Sequence, residues 1–325
     1  MQLRALGNSG LLVSVVGLGT NNFGMRDDVE AAPVVGRALD LGITLFDTAA
    51  SYGDGRSERA LGAALGARRK DVVIATKWGG APAPVAGVTP PPSRGGSRDH
   101  IMKAVERSLR NLGTDYIDLY QYHRPDGATP IEETLRALDD LVRQGKVRYL
   151  GVSNMSAWQV VRAQWTARHL GLNPFVCCQD GYSLLNRAVV EPDLAQVMQA
   201  EGLGLLPFFP LAGGMLTGKY RRGESFPQGS RFAAMGRFSG MFTTDRNWEL
   251  VGRLTEFARA RGHTITELAF SWLAAQPCVS SIIAGATRPQ QVEENAAAVG
   301  WTLSPDDLVE VDRITGKPAA PSPYG

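Results

Sequence analysis

The chain has 325 residues, 44% of them hydrophobic and 20% charged, which is enough to bury either one large core or two ordinary ones. The formal net charge is +2 and the basic residues are spread along the chain, so a nucleic acid is excluded as an expected partner. Only three cysteines occur, which favours a reduced, cytoplasmic protein over a disulfide-stabilised secreted one. The first residues do not resemble a signal peptide, and no run approaches the roughly 18 apolar residues of a membrane span, so we expect no membrane association.

Eight apolar runs alternate with helical segments along the chain. The runs are rich in Val, Ile and Leu, which is typical of strands buried on both faces of a parallel sheet. Eight strand-then-helix units in a chain of this length predict a single α/β domain over residues 1–325, a (β/α)8 TIM barrel. The runs span residues 11–20, 43–47, 72–77, 116–123, 147–154, 175–179, 203–209 and 279–285.

Three further segments extend the predicted barrel. Residues 1–10 contain the turn signal Gly7-Asn8-Ser9-Gly10, which predicts a short N-terminal β-hairpin that leads into the first barrel strand and plugs the closed end. Residues 79–96 and 213–244 are long, contain many Gly or Pro residues and follow predicted strands. We therefore expect two long loops at the C-terminal mouth of the barrel, where barrel enzymes carry their active sites.

Polar residues close several of the apolar runs at their carboxyl ends. Because a barrel brings these ends together at one mouth, we interpret the set as an active site. A structural interpretation would need a separate reason for each residue, although any single one could be a helix cap or a loop contact. The residues are Asp47, Lys77, His123, Ser153, Asn154 and Gln179.

Tyr52 follows the strand that ends at Asp47, and Gly53 and Gly55 let the loop fold back so that the phenol faces the mouth. A phenol alone is a weak acid, but a nearby ammonium favours the phenolate, and a carboxylate beside that ammonium fixes its position and charge. Lys77 and Asp47 supply these two groups from adjacent predicted strands. The pattern therefore indicates Tyr52 as a proton donor.

His123 completes this group from the end of the next predicted strand. A histidine there can donate a hydrogen bond to a carbonyl oxygen and orient it, as an oxyanion stabiliser does. Three structural alternatives stay open: a Lys77–Asp47 ion pair, a capping Asp47 and a His123 satisfied in the core. The remaining histidines and the cysteines show no metal-ligand spacing, so no metal site is expected.

These segments resemble those of the aldo-keto reductases, and most closely the branch that includes the potassium-channel β subunits. The resemblance covers nearly the whole chain, and several independent motifs match in the right order. It is carried by residues 16–20 (VGLGT), 46–49 (FDTA) with Tyr52, 75–77 (ATK), 108–123 (SLRNLGTDYIDLYQYH), 145–154 (GKVRYLGVSN), 210–220 (PLAGGMLTGKY) and 284–296 (AGATRPQQVEENA).

The resemblance implies a barrel that reduces small aldehydes or ketones to alcohols by hydride transfer from NADP(H). Asp47, Tyr52, Lys77 and His123 would be its catalytic tetrad, with Tyr52 as general acid. The implied cofactor site comprises Asp47 again, the nicotinamide-amide residues Ser153, Asn154 and Gln179, the ring-stacking Phe209 in place of the usual Tyr, and Gly19, Thr20, Pro210, Leu211, Gly213, Lys219, Arg231, Gly285, Thr287, Arg288, Gln291, Glu294 and Asn295.

Pro210 departs from the resemblance, because it replaces a common Ser and removes one phosphate donor. The backbone N–H groups of Leu211 and Gly213 would still reach the pyrophosphate. Phe23 and Trp78 are predicted substrate contacts because both lie beside the expected mouth. The carbonyl substrate and the oligomeric state stay open, since the long loops shape the pocket.

Two other functions are compatible with the same pattern. An NADP(H)-binding sensor or auxiliary subunit with little turnover would also resemble the channel β subunits. A barrel glycosidase would use Asp47 and a second carboxylate. By contrast, a Rossmann dinucleotide fold is a weak interpretation, because Asn22 stands where the third glycine of that fingerprint belongs.

Overall fold

The structure, a computed structural model, describes residues 1–79, 94–234 and 236–317. Eight parallel strands lie side by side and alternate with helices, which confirms the predicted (β/α)8 architecture. Two hydrogen bonds, both 3.0 Å long, join the chain around the seventh parallel strand to the chain around the eighth. The Ser280 N–H donates to the Leu205 carbonyl, and the Ile283 N–H donates to the Pro207 carbonyl. These two bonds connect the edges of the sheet. The predicted loop 79–96 lies mostly outside the described residues.

The strands are short, and their side chains alternate between the barrel interior and the layer beneath the helices. Apart from the two N-terminal hairpin strands, all of them belong to the barrel sheet. They are β1 (Leu3–Ala5), β2 (Leu12–Ser14), β3 (Val16–Gly19), β4 (Leu45–Asp47), β5 (Val73–Gly79), β6 (Ile117–Arg124), β7 (Val147–Ser153), β8 (Phe175–Gln179), β9 (Gly204–Leu205) and β10 (Ile282–Gly285).

The described helices surround the sheet, and most of them bury an apolar face against it. They are α1 (Asn21–Met25), α2 (Ala31–Asp40), α3 (Arg56–Leu65), α4 (Arg98–Leu112), α5 (Ile131–Arg143), α6 (Ala157–Leu170), α7 (Leu194–Glu201), α8 (Arg231–Ala234), α9 (Gly236–Ser239), α10 (Asp245–Arg259), α11 (Ile265–Ala274), α12 (Pro289–Ala297) and α13 (Pro305–Thr315), with 3₁₀ segments at Gly66–Asp71 and Ala212–Thr217. No helix of the described residues is long and apolar enough to cross a membrane.

Helix α4 shows how local sequence sets these boundaries. Its Ser97 hydroxyl accepts a hydrogen bond from the His100 N–H, which caps the first turn. Gly113 follows the last turn at φ 64°, the left-handed conformation in which glycine ends a helix at little cost. Ile101, Val105 and Leu109 lie on one buried face, so packing against the sheet adds to the stability that the two caps provide.

The N-terminal hairpin is present, and it fills one end of the barrel. Strand β1 pairs antiparallel with β2. Leu6 and Val13 are fully buried and pack with interior side chains of the barrel strands. Burying these apolar side chains stabilises the folded state by about 25 cal/mol per Å² of apolar surface, and this holds the hairpin in place. The same side chains close this end of the barrel.

Two of the predicted strands have different bounds in the structure. The run 11–20 forms two strands, β2 and β3, because the chain leaves the hairpin at Val15 and enters the barrel at Val16. The run 203–209 is a strand only at Gly204–Leu205, since Pro207 has no N–H for a ladder and Phe209 adopts φ 54°. The predicted loop 213–244 contains α8, α9 and most of one 3₁₀ segment.

Candidate active site

Asp47, Lys77 and Tyr52 meet at the carboxyl ends of β4 and β5. The Lys77 ammonium donates to Asp47 Oδ2 at 2.6 Å, to the Thr48 carbonyl at 2.8 Å and to the Tyr52 hydroxyl at 3.5 Å. Lys77 and Asp47 are both buried, whereas Tyr52 is half-buried. The structure thus places a phenol, an ammonium and a carboxylate in one chain of contacts.

Glycine backbone geometry positions the loop that carries Tyr52. Gly53 and Gly55 have φ values of 58° and 80°, which glycine adopts without the strain that a side chain would bring. A methyl group on Gly24 would lie 2.5 Å from the Tyr52 carbonyl oxygen, so helix α1 and this loop pack backbone against backbone. The close approach fixes Tyr52 above Lys77.

Lys77 stays charged although it is surrounded by protein. Burial by itself lowers the pKa of this ammonium, but the nearby Asp47 carboxylate and the Tyr52 phenol outweigh that effect and raise the pKa. A buried ammonium with a raised pKa keeps its proton at neutral pH. Lys77 therefore acts on the phenol as a fixed positive charge.

His123 lies on the other side of Tyr52, at the end of β6. The two rings are edge to face with centroids 5.9 Å apart, and the His123 Nδ1 atom lies 3.5 Å from the Ser51 hydroxyl oxygen. Burial, followed by the charges of Lys77 and Arg124, lowers the pKa of His123 to about 3. The imidazole is therefore neutral at physiological pH, with one N–H to donate.

A second layer of amides holds Asp47 from below. Gln179 Nε2 donates to Asp47 Oδ1 at 2.8 Å, and Gln121 Nε2 donates to the same oxygen at 3.3 Å. Gln121 was not among the residues predicted from sequence, because it stands inside the apolar run 116–123. Its position two residues before His123, on the same face of the strand, is the signal that could have found it.

Ser153 and Asn154 lie beside Gln179 at the end of β7. Asn154 adopts φ 55°, and its side-chain N–H groups reach the Ser153 hydroxyl at 2.8 Å and the His123 carbonyl at 3.0 Å. The Asn154 backbone N–H donates to the buried Asp180 carboxylate at 3.2 Å. Burial raises the pKa of Asp180 to about 7. Sequence reasoning also missed Asp180.

A group of cations gathers where the long seventh loop meets the end of β10. A methyl group on Gly285 would lie 3.5 Å from the Arg231 guanidinium, so the loop and the strand end are close. Burial, and then the positive charges of Arg231 and Arg288, lower the pKa of Lys219. No carboxylate of the described residues forms an ion pair with any of the three. Because the three positive charges repel one another, a negatively charged phosphate group between them would stabilise the cluster.

Two of the other predicted cofactor residues use their side chains for hydrogen bonds within the protein. The Thr20 hydroxyl is fully buried and bonds Asp47 O and Ser57 Oγ, so it positions β4 rather than facing a ligand. The Gln291 Oε1 atom accepts from the Thr287 N–H and hydroxyl, which fixes the start of α12. Arg288 is the N-cap residue of α12 and is exposed, Glu294 is exposed, and Asn295 is buried.

Two adjacent phenylalanines compete for the predicted stacking position. Phe208 lies against the end of β8, where a methyl group on Gly181 would be 3.3 Å from its ring. Phe209 faces the other way, with the Arg231 guanidinium 5.6 Å from its ring centroid and Phe242 at 5.9 Å. Phe208 therefore lies beside the residues that follow Gln179, and stacking by Phe209 stays a prediction.

The two predicted substrate contacts are both buried. Phe23 is 7% exposed on α1, and Trp78 is 2% exposed. The Trp78 indole stacks on Tyr120 and Tyr122 at 4.5 and 5.1 Å, in the layer between the strands and the helices. This placement favours packing over substrate contact for Trp78. The described residues contain no cluster of His, Cys, Asp or Glu that could hold a metal ion.

A comparison with known protein families decides the class of the protein. Residues 15–315 match the family model described as the aldo/keto reductase family. The chain belongs to the aldo/keto reductase family. Proteins of this family are oxidoreductases that act on carbonyl compounds and typically use NAD(P)H.

Individual relatives within the family differ in their named roles. The chain is 38% identical to a probable voltage-gated potassium channel subunit beta of Arabidopsis thaliana, over the full length of both chains. It is 36% identical to an L-glyceraldehyde 3-phosphate reductase of Escherichia coli, covering 96% of this chain and 92% of the relative. A putative channel subunit beta of Schizosaccharomyces pombe is 37% identical over 96% of this chain and 92% of its own.

Proposed function

We propose that this aldo/keto reductase is an NADP(H)-dependent carbonyl reductase in which Tyr52 donates the proton. The observation that carries the proposal is the buried Lys77 ammonium, which contacts the Asp47 carboxylate at 2.6 Å and the Tyr52 hydroxyl at 3.5 Å. A carbonyl that accepts a hydride needs a proton on its oxygen. Tyr52 is the half-buried acid at the mouth, and Lys77 stabilises the phenolate that remains.

Each residue has a separate task in this mechanism. When NADPH is bound, its nicotinamide supplies the hydride. The neutral His123 donates an N–H to the carbonyl oxygen and orients it toward the Tyr52 hydroxyl. Ser153, Asn154 and Gln179 hold the nicotinamide amide beside these groups. Lys219, Arg231 and Arg288 would bind the phosphates through charge-assisted hydrogen bonds, and a guanidinium binds a 2′-phosphate more strongly than it binds a ribose hydroxyl.

An assay on a panel of small aldehydes and ketones tests the proposal. The purified protein should oxidise NADPH only when a carbonyl compound is present, and the alcohol should appear in equal amount. The panel should include short phosphorylated aldehydes, because a relative 36% identical to this chain is named an L-glyceraldehyde 3-phosphate reductase. Absence of NADPH oxidation with every member of the panel would contradict the proposal.

A second candidate is an NADP(H)-binding auxiliary subunit with little turnover. It is favoured by the 38% identity to a protein named as a channel subunit beta. Tight NADPH binding together with no turnover of any carbonyl compound would support it. The complete tetrad favours the reductase, because an auxiliary role needs none of the contacts among Asp47, Tyr52, Lys77 and His123.

A further inference from the structure

Gln121 is a fully buried amide directly beneath the reactive groups. Its Nε2 atom lies 3.3 Å from Asp47 Oδ1, and its Oε1 atom lies 3.3 Å from Gln179 Nε2. Gly151 on β7 leaves room for it, since a methyl group there would be 3.0 Å from Gln121 Cγ and 2.7 Å from Cys177 Sγ. The side chain is thus confined from two directions and has no access to solvent.

The charge of Asp47 determines how the two amides are oriented. An ionised carboxylate only accepts hydrogen bonds, so both Gln121 and Gln179 must turn their nitrogen atoms toward Asp47. Gln121 then presents its oxygen to Gln179. That oxygen in turn requires a donor, which is the second N–H of the Gln179 amide.

Both N–H groups of Gln179 are therefore used within the protein, one by Asp47 at 2.8 Å and one by Gln121 at 3.3 Å. Among the described residues, no group donates to the Gln179 Oε1 atom. Oε1 is the part of this amide left for a ligand, and it can only accept a hydrogen bond.

We propose that Gln121 is a positioning residue that fixes the Gln179 amide as an acceptor, so that the site selects a cofactor carrying a carboxamide over one carrying a carboxylate. The inference rests on the proposed nicotinamide cofactor. A carboxamide has N–H groups to donate to Gln179 Oε1. The deamidated cofactor, nicotinic acid adenine dinucleotide phosphate, has only acceptor oxygens there, which face Gln179 Oε1 without a proton between them.

The test compares the dissociation constants of NADP⁺ and its deamidated analogue for the full-length protein. The wild type should bind NADP⁺ about tenfold or more tightly than the analogue, because the analogue leaves the buried Gln179 acceptor without a hydrogen-bond donor. In Gln121→Leu, only the hydrogen bond to Asp47 still holds the Gln179 nitrogen, so the amide can rotate about that contact and turn its second N–H toward the analogue. The ratio of the two constants should then fall to about threefold or less.

Two control variants separate this role from a general loss of stability. Gln121→Glu should hold a proton beside the buried Asp47 carboxylate, donate it to Asp47 and keep an oxygen opposite Gln179 Nε2, so it should retain the wild-type ratio. Gln164→Leu removes another buried glutamine, which bonds the N–H and carbonyl of Phe175 far from the mouth; it should lower the melting temperature without changing the ratio. If Gln121→Leu does not fold, Gln121→Met carries the same prediction.

A wild-type ratio in Gln121→Leu, or a reduced ratio in Gln121→Glu, would overturn the positioning role while the proposed function stands. A wild type that binds neither cofactor would instead overturn the proposed function and this inference with it.

Discussion

Lys77 illustrates how one residue links folding and chemistry. Its ammonium is buried with Asp47, and removing one partner of a buried ion pair leaves an uncompensated charge that typically costs about 3–5 kcal/mol of stability. The same ammonium is the positive charge next to Tyr52. A substitution of Lys77 therefore tests both the structural and the catalytic interpretation, provided that the loss of stability and the loss of activity are measured separately.

Lys77→Met should lower carbonyl reduction by about 10² or more while NADPH still binds, because the positive charge that stabilises the phenolate is lost. The double variant Asp47→Asn/Lys77→Met removes the uncompensated carboxylate and should recover part of the lost melting temperature without recovering activity. Stopped-flow NADPH oxidation and thermal unfolding measure the two effects. Recovery of turnover in the double variant would show that Lys77 is only a structural partner.

The residues that end strands could be predicted from sequence, whereas those inside strands could not. Asp47, Lys77 and His123 interrupt apolar runs at the carboxyl end, where a barrel gathers its active site. Gln121 lies within a run and its contacts are with Asp47, 74 positions away, so no local pattern reveals it. The choice between Phe208 and Phe209 depends on the backbone conformation at 209, which sequence does not specify.

At the scale of elements, the start of α12 is where we expect the proposed site to distinguish NADPH from NADH. Arg288 is the N-cap residue, and Pro289 occupies the first turn. The N–H groups and the positive dipole end of a helix favour an anion at this position. The Arg288 side chain has no ion-pair partner among the described residues, so it is available to bind the 2′-phosphate.

Arg288→Ala should weaken NADPH binding by about 10- to 150-fold, the equivalent of one charge-assisted hydrogen bond. NADH binding should barely change, because a ribose hydroxyl makes no such bond. Titration of both cofactors against the wild type, the variant and Arg313→Ala, an exposed arginine on α13, measures the effect. An equal loss for both cofactors would assign Arg288 to the pyrophosphate or to the fold.

The N-terminal hairpin can be predicted from the sequence, but the point where the first barrel strand begins cannot. The sequence shows the turn at residues 7–10 but not the break at Val15, because a single polar residue beside it, Ser14, is also compatible with one continuous strand. The break arises from the barrel itself. Val13 fills the barrel interior from the hairpin and Val16 begins the pairing with β10, so the chain must bend between them.

For the whole molecule, His123 and Asp180 give opposite contributions to the pH dependence of stability. The pKa of His123 is lowered to about 3, so below its ordinary value of 6.5 the unfolded chain binds more protons and stability falls with acidification. The pKa of Asp180 is raised from 3.8 to about 7, so in that window the folded chain binds more protons and stability rises with acidification.

Removing either group should expose the contribution of the other between pH 7 and pH 5. Asp180→Asn should become less stable on acidification relative to the wild type, and His123→Asn should become more stable, each by about 2 kcal/mol from linkage. Urea unfolding at the two pH values measures the difference, and subtraction of the wild-type values removes the remaining titratable groups. If the free energy of unfolding changed by the same amount between the two pH values in all three proteins, neither group would titrate as the fold implies.

The central claim for the whole molecule is that Tyr52 supplies the proton in an NADPH-dependent reduction. Its most direct test is single-turnover reduction of an aldehyde by NADPH-loaded protein, with Tyr52→Phe beside the wild type. The variant keeps the ring and loses the acid, so NADPH should bind as before while the rate falls by about 10² or more. A variant that binds NADPH and reduces the aldehyde at a near-normal rate would contradict the claim.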